Sequence, residues 1–208
     1  MVDKDQIKKL VRKYFDVTGQ VSVDASGLVS VDGSVYMRRN ITLPGHMLPV
    51  KFDRVSKGFR LMGYNYLRSL EGVPIEVGGD FDCASTQVGS LQHAPQHVGG
   101  NLDVRFCNLK NFVGGPQWVG GAYYARRNPI TSLDGLPDRI PGEFDFEWYP
   151  ELPVLKALVA KTVEARQATD VVEPVTIILN KYAGQGKPGA LKAAAELIRA
   201  GFKGNARW

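Results

Sequence analysis

Between Val77 and Arg139 the apolar positions of the chain repeat every 21 residues. Val77-Gly78-Gly79-Asp80-Phe81-Asp82-Cys83 aligns with Val98-Gly99-Gly100-Asn101-Leu102-Asp103-Val104, and both align with Val119-Gly120-Gly121-Ala122-Tyr123-Tyr124-Ala125. The match continues through Val88, Leu109 and Ile130, through Leu91, Phe112 and Leu133, and through Pro95, Pro116 and Pro137. A fixed period of about 20–29 residues with one short apolar strand per unit marks a stacked repeat array. Alternation within the strand sets direction: Phe81 and Cys83 point inward, Asp80 and Asp82 outward. The glycine pair before each strand predicts a tight bend or a positive φ. No unit can bury its apolar side alone, so neighbours must stack.

The same offsets extend the array upstream. Val31, Val35, Met37, Asn40 and Pro49 take the places of Val77, Phe81, Cys83, Thr86 and Pro95. Val55, Phe59 and Leu61 open another unit, in which Leu67, Leu70 and Pro74 fall one residue late. Ile140, Phe144 and Phe146 begin a last, degenerate unit that breaks at Tyr149-Pro150, giving about six rungs.

The flanks read differently. Asp3 to Asp16 predicts a helix capped by Asp3 or Asp5, with Ile7, Leu10, Val11, Tyr14 and Phe15 on one side. Its other side, Lys4, Lys8, Lys9, Arg12 and Lys13, is either the solvated face of a solenoid cap or a nucleic-acid contact. Gly19 to Val35 predicts a hairpin or two short strands turning at Ala25-Ser26-Gly27. Leu152, Leu155, Leu158, Val159 and Val163 predict a helix over 150–168 that closes the last rung. Thr169 to Glu173 reads as a loop. Pro174 to Ala183 reads as a second helix, with Pro174 in its first turn and Gly184 past its end. Pro188 to Ala200 reads as a third, with Leu191, Ala194, Ala195 and Ile198 as its apolar side and Gly201 as its stop. The predicted fold is α+β: a short parallel β-solenoid of leucine-rich-repeat type over 31–150, an N-terminal helix-and-hairpin cap over 1–30, and a helical, basic region over 151–208.

Charge narrows the choice of partner. Lys and Arg number 26 against 21 Asp and Glu, a net +5 that favours an anionic partner or serves solubility alone. From Asp170 onward the bases Lys181, Lys187, Lys192, Arg199, Lys203 and Arg207 outnumber the acids Asp170, Glu173 and Glu196. Two cysteines, Cys83 and Cys107, make no disulfide framework, so a reducing cytoplasm is expected. The first residues lack a signal-like apolar region, and no run approaches the ~18 apolar residues of a membrane span, so no membrane partner is expected.

No catalytic constellation stands out. His93 and His97 have the four-residue spacing of helical metal ligands but fall in a proline-bearing return segment, and His46 is isolated. Asp80, Asp82, Asn101 and Asp103 form either a weak cation patch or a solvated strand face. Gly184-Gln185-Gly186-Lys187 has part of a phosphate loop, but Pro188 follows and the glycine spacing is wrong. No cofactor or metal is expected. The remaining signal is arginine beside aromatics. Arg38-Arg39, Arg105-Phe106 and Arg126-Arg127 follow successive strands, and one outward strand position holds Tyr36, Arg60 and Tyr124. Stacking places these in rows about 5 Å apart. Such rows suit a single nucleic-acid strand, with cations on phosphates and rings on unpaired bases. Asp82 and Asp103 interrupt the rows, which leaves the two ends of the array and the basic tail, with Phe202 and Trp208, as the places for contact. The candidate nucleic-acid-binding residues are Tyr36, Arg38, Arg39, Arg60, Arg105, Phe106, Tyr124, Arg126, Arg127, Lys181, Lys187, Lys192, Arg199, Lys203, Arg207 and Trp208.

Ser69-Leu70-Glu71-Gly72-Val73-Pro74 and Ser132-Leu133-Asp134-Gly135-Leu136-Pro137, with the Val-Gly-Gly strands between them, resemble the degenerate leucine-rich repeats of tailed-bacteriophage proteins. Ala200-Gly201-Phe202-Lys203-Gly204-Asn205-Ala206-Arg207-Trp208 resembles a recurring ending of theirs. Size, basic charge and the lack of an OB-like five-strand pattern also fit the Drc-type cofactors of phages that carry a giant virion RNA polymerase. That resemblance implies a non-enzymatic protein of the infected bacterial cytoplasm. It would coat single-stranded DNA with little sequence preference and recruit a phage RNA polymerase to its promoters. The basic tail would self-associate along the strand or contact the polymerase. The alternatives are a protein-interaction module that uses the solenoid face, such as a host-takeover or anti-defence factor, and a virion component.

Overall fold

The computed structural model describes residues 2–167 and 173–208. Most of the loop expected at Thr169–Glu173 therefore lies outside the described residues. The first helix, α1 (Lys4–Tyr14), starts where Asp3 accepts the Gln6 N–H at 2.9 Å, and it buries Val11 and Tyr14. At Phe15 the chain passes directly into β1 (Phe15–Val23), which pairs antiparallel with β2 (Val29–Met37). The Asp24 carboxylate accepts the N–H groups of Ser26 and Leu28, which fixes the hairpin turn at the expected place.

β2 is the first rung, and its length lets it found two ladders. Val31 aligns with Val55 of β3 (Phe52–Val55), and Val35 with Phe59 of β4 (Phe59–Arg60). One ladder continues through β5 (Glu76–Val77), β7 (His97–Val98) and β9 (Trp118–Val119). The other runs through β6 (Phe81–Asp82), β8 (Leu102–Asp103) and β10 (Tyr123–Tyr124). The register is the one the repeat offsets predict, at 21 residues from Val77 onward and at 24 and 22 in the two units before it: Val31, Val55, Val77, Val98 and Val119 stack in one buried row, and Val35, Phe59, Phe81, Leu102, Tyr123 and Phe144 in another. The result is a parallel β-solenoid of about seven turns with three helices.

The glycine pairs are required by close approach and not by φ. A Cβ on Gly78 would lie 2.2 Å from the Ser56 carbonyl oxygen, and one on Gly99 2.1 Å from that of Gly78. Neither residue has a positive φ. Beside them Asp80 accepts the Asn101 N–H at 2.7 Å, and Asn101 accepts the Ala122 N–H at 2.8 Å. Asp80 and Asn101 thus serve as rung-to-rung acceptors, a structural role for half of the suspected cation patch.

Near the end of the array one expectation holds and one is overturned. The unit expected at Ile140, Phe144 and Phe146 forms as β11 (Ile140–Glu147), which ends before Tyr149-Pro150 as expected, with Phe144 and Phe146 buried in a ring cluster with Tyr123 and Phe112. The helix expected over 150–168 does not form. Leu155–Val159 is a 3-10 turn, and β12 (Ala160–Arg166) is a further parallel rung with Val163 in register with Phe144. The strand wins because β11 presents an open edge whose backbone groups need partners. Ala160, Val163 and Ala165 also bury on the inward side.

The far edge of β12 is closed by α2 (Pro174–Tyr182). Thr176 accepts the Ala165 N–H at 3.0 Å and donates to the Ala165 carbonyl. Asn180, one turn on, accepts the Val163 N–H at 2.8 Å and donates to its carbonyl at 2.7 Å. α3 (Gly186–Arg199) follows. Its buried side is Gly189, Ala190, Ala193 and Leu197, not the predicted stripe. Leu191 is 75% exposed and Ile198 52%. The small residues let the helix sit close: a Cβ on Gly189 would lie 2.8 Å from the Tyr182 carbonyl oxygen. Beyond α3, Asn205 donates to the carbonyls of Tyr149 and Leu152 and ties residues 200–208 back to the last rungs. No helix among the described residues is long and apolar enough to cross a membrane.

Candidate nucleic-acid interface

The outward side of the second ladder carries Tyr36, Arg60, Asp82, Asp103, Tyr124 and Asp145 in one row, continued by Glu164 on β12. The rungs bring the expected rows together, but with every cation of the rows except Arg39 set against a carboxylate. Arg38 meets Asp16 at 2.8 Å, Arg60 meets Asp82 at 3.2 Å, and Arg105 grips Asp103 through Nε and Nη2. Arg126 meets Asp145 at 3.0 Å and Arg127 meets Glu147 at 3.7 Å. Two rings lie under these guanidinium groups: Arg60 is over Tyr36 at 5.8 Å and Arg105 over Tyr124 at 5.6 Å. Of the six rung arginines expected to contact the strand, Arg38, Arg39, Arg60, Arg105, Arg126 and Arg127, only Arg39 lacks an ion-pair partner among the described residues. Phe106, at the left-handed φ of +56°, turns its ring outward and is 52% exposed.

The carboxylates of this row are far from solvated. Burial pushes Asp82 up from its ordinary value, against the Ala84 N–H that lowers it. Burial pushes Asp145 up to about 6, with Arg126 opposing and Glu164 and Glu143 reinforcing. The Asp103 partner raises Arg105. Pulling an arginine away to meet a phosphate would leave one of these carboxylates unpaired beside a second anion. The middle of the array is thus neutral rather than acidic, and its cations are committed.

The tail divides in the same way. Lys181 is held by Glu196, and Arg207 by Glu151 and two carbonyls. Lys187, Lys192, Arg199 and Lys203 are exposed without an ion-pair partner among the described residues, and Trp208 is 63% exposed. A groove of about 620 Å³ lies where the last rungs meet the α2–α3 connection. Arg139, Lys161, Lys187 and Trp208 line it, with Asp138 as the one carboxylate. None of the three cations has an ion-pair partner among the described residues. Gly184 and Gly186 hold the connecting loop open at φ of +73° and +62°.

Arg139 and Lys161 were missed by the sequence reading. A signal for Arg139 exists: Arg54, Glu76, His97, Trp118 and Arg139 each precede a repeat valine or isoleucine, and from Glu76 on they recur every 21 residues. Lys161 was hidden by the helix assigned to 150–168. His93 sits on a turn at φ +67° and His97 in β7, so their helical spacing is not used. Comparison with protein-family models, with curated proteins and with solved structures returns no match.

Proposed function

We propose that the protein is a non-enzymatic binder of single-stranded DNA that holds the strand at the C-terminal end of the solenoid. The observation that carries this is the groove lined by Arg139, Lys161 and Lys187, all without ion-pair partners among the described residues, and by Trp208, which is largely exposed. Cations there neutralise phosphates, and the indole stacks on an unpaired base for roughly 1–3 kcal/mol. Lys192 and Arg199 extend the basic path along α3. Stacking accepts any base, so sequence preference is low. Its need for unpaired bases favours single strand over duplex. The further role, a transcription cofactor that brings a phage RNA polymerase to DNA in the infected cell, rests on the phage-like repeats and the 200–208 segment.

A second reading has its own support. Leu191, Ile198 and Ile177 are each more than half exposed on the two C-terminal helices, which favours a protein partner and an interaction module. Fluorescence anisotropy with labelled single-stranded and duplex oligonucleotides separates the two. The DNA reading expects the single strand to bind at least tenfold tighter, with steep weakening by salt. Equal binding, or no binding at moderate salt, rejects it in favour of the protein reading.

A further inference from the structure

The last two rungs carry three carboxylates on their outer face. Asp145 of β11 and Glu164 of β12 are cross-strand partners, and Glu143 lies two residues before Asp145 on the same face. One oxygen from each forms a set in which all lie within 4.8 Å of one another. Burial separates this cluster from an ordinary acidic surface. Asp145 is only 3% exposed, and Glu143 and Glu164 are half-buried.

Asp145 is also incompletely satisfied. Its Oδ2 takes Arg126 Nε at 3.0 Å, while Oδ1 is buried with no hydrogen-bond partner. A buried charged acceptor without a donor is costly. Glu164 gives one oxygen, Oε1, to Arg166 at 2.6 Å. Three carboxylates against the two guanidinium groups of Arg126 and Arg166 leave one net negative charge, concentrated where Asp145 Oδ1 lacks a donor.

We propose that Glu143, Asp145 and Glu164 form a binding site for a divalent cation of the calcium class. The donors are all hard oxygens, the set that suits calcium, magnesium or manganese and not zinc or copper. Calcium binds oxygen at 2.3–2.6 Å, so ligands on opposite sides of the ion stand up to about 5 Å apart, which matches the spread of the cluster. Magnesium, at 2.0–2.1 Å and strictly octahedral, needs a tighter set. Asp145 Oδ1 supplies the buried ligand, Glu143 and Glu164 the half-buried ones, and water the rest. The ion bridges β11 and β12 and so fastens the last rung to the one before it. Nothing in this site depends on DNA binding.

The test uses the full chain stripped with a chelator. Isothermal titration with CaCl2 should give saturable one-to-one heat and a raised melting temperature, with MgCl2 at least tenfold weaker. Tb3+ luminescence should be sensitised through Tyr124, the cross-strand neighbour of Asp145, and quenched by added CaCl2. Glu143→Gln should weaken CaCl2 binding at least tenfold with the circular dichroism spectrum unchanged. If that variant does not fold, Glu164→Gln carries the same expectation. The proposal is overturned by the absence of saturable heat up to about 10 mM CaCl2, beyond the range of the weakest calcium modules. It is equally overturned if the folded glutamine variant binds as tightly as the wild type.

Discussion

Asn128 is 1% exposed and holds four backbone groups closely, with a fifth, longer bond at 3.4 Å to the Arg126 carbonyl. Its Oδ1 accepts the N–H groups of Cys107 and Leu109, and its Nδ2 donates to the carbonyls of Val104 and Ala125. One period earlier the same template position is Cys107, and one before that Thr86, whose hydroxyl donates to the Cys83 carbonyl. This column is polar inside an apolar stack, so it is the weak point of the rung. Asn128→Ala leaves four buried backbone groups without a partner, and at about 1 kcal/mol or more each should cost roughly 3–5 kcal/mol in a urea melt; a loss below 1 kcal/mol would mean that water replaces the amide. Asp82 carries a pH effect. Its folded pKa lies above its ordinary 3.8, so the folded chain holds the proton more tightly than the unfolded one. The sign follows: its contribution to stability is greatest below about pH 4 and is lost as pH rises through the raised folded value. Asp82→Asn keeps the acceptor for the Ala84 N–H and removes this slope. Melts of variant and wild type compared at pH 4 and pH 7 should show the variant gaining relative stability at pH 7, and an identical pH profile would count against the assignment.

At the scale of elements, both ends of the solenoid are closed by local devices. The first is a hairpin whose inner strand founds both ladders, and the last is a helix whose Thr176 and Asn180, four residues apart, supply what a next strand would have given the edge of β12. An open strand edge templates association. The pair Thr176→Val and Asn180→Leu should therefore raise aggregation on light scattering at temperatures where the wild type stays monodisperse, and unchanged scattering would assign the closure to helix packing alone. The rungs were legible in the sequence because strand position, glycine pair and proline recur at one spacing, and each is fixed by contact with the neighbouring copy. The seventh rung was not, because Leu152, Leu155, Leu158 and Val159 fit a helical period as well as a 3-10 turn leading into a strand. Nothing within 150–168 announces the edge of β11 that decides the matter. The buried side of α3 was missed for a related reason: packing against α2 selects the small Gly189, Ala190 and Ala193, whereas apolarity alone selects Leu191 and Ile198.

For the whole molecule, a net charge of +5 is unevenly spent. Along the solenoid the arginines neutralise a column of buried and half-buried carboxylates, so the rows seen in the sequence serve the stack. Which arginines were paired was not legible, since the partners Asp16, Asp145 and Glu147 come from other turns of the chain. Among the described residues, cations without such partners lie on α1, which carries Lys4, Lys8, Lys9, Arg12 and Lys13, and again where the last rungs meet the C-terminal helices. The most direct test of this division is the salt dependence of single-stranded DNA affinity, measured by anisotropy, for two double variants. Arg139→Ala with Lys161→Ala, in the groove, should flatten the slope of log affinity against log salt by about 1.4, the loss of two phosphate contacts at about 0.7 each. Arg38→Ala with Arg127→Ala, on the rungs, should leave the slope unchanged. A groove variant with wild-type slope beside a flattened rung variant would contradict the account and return the interface to the solenoid face.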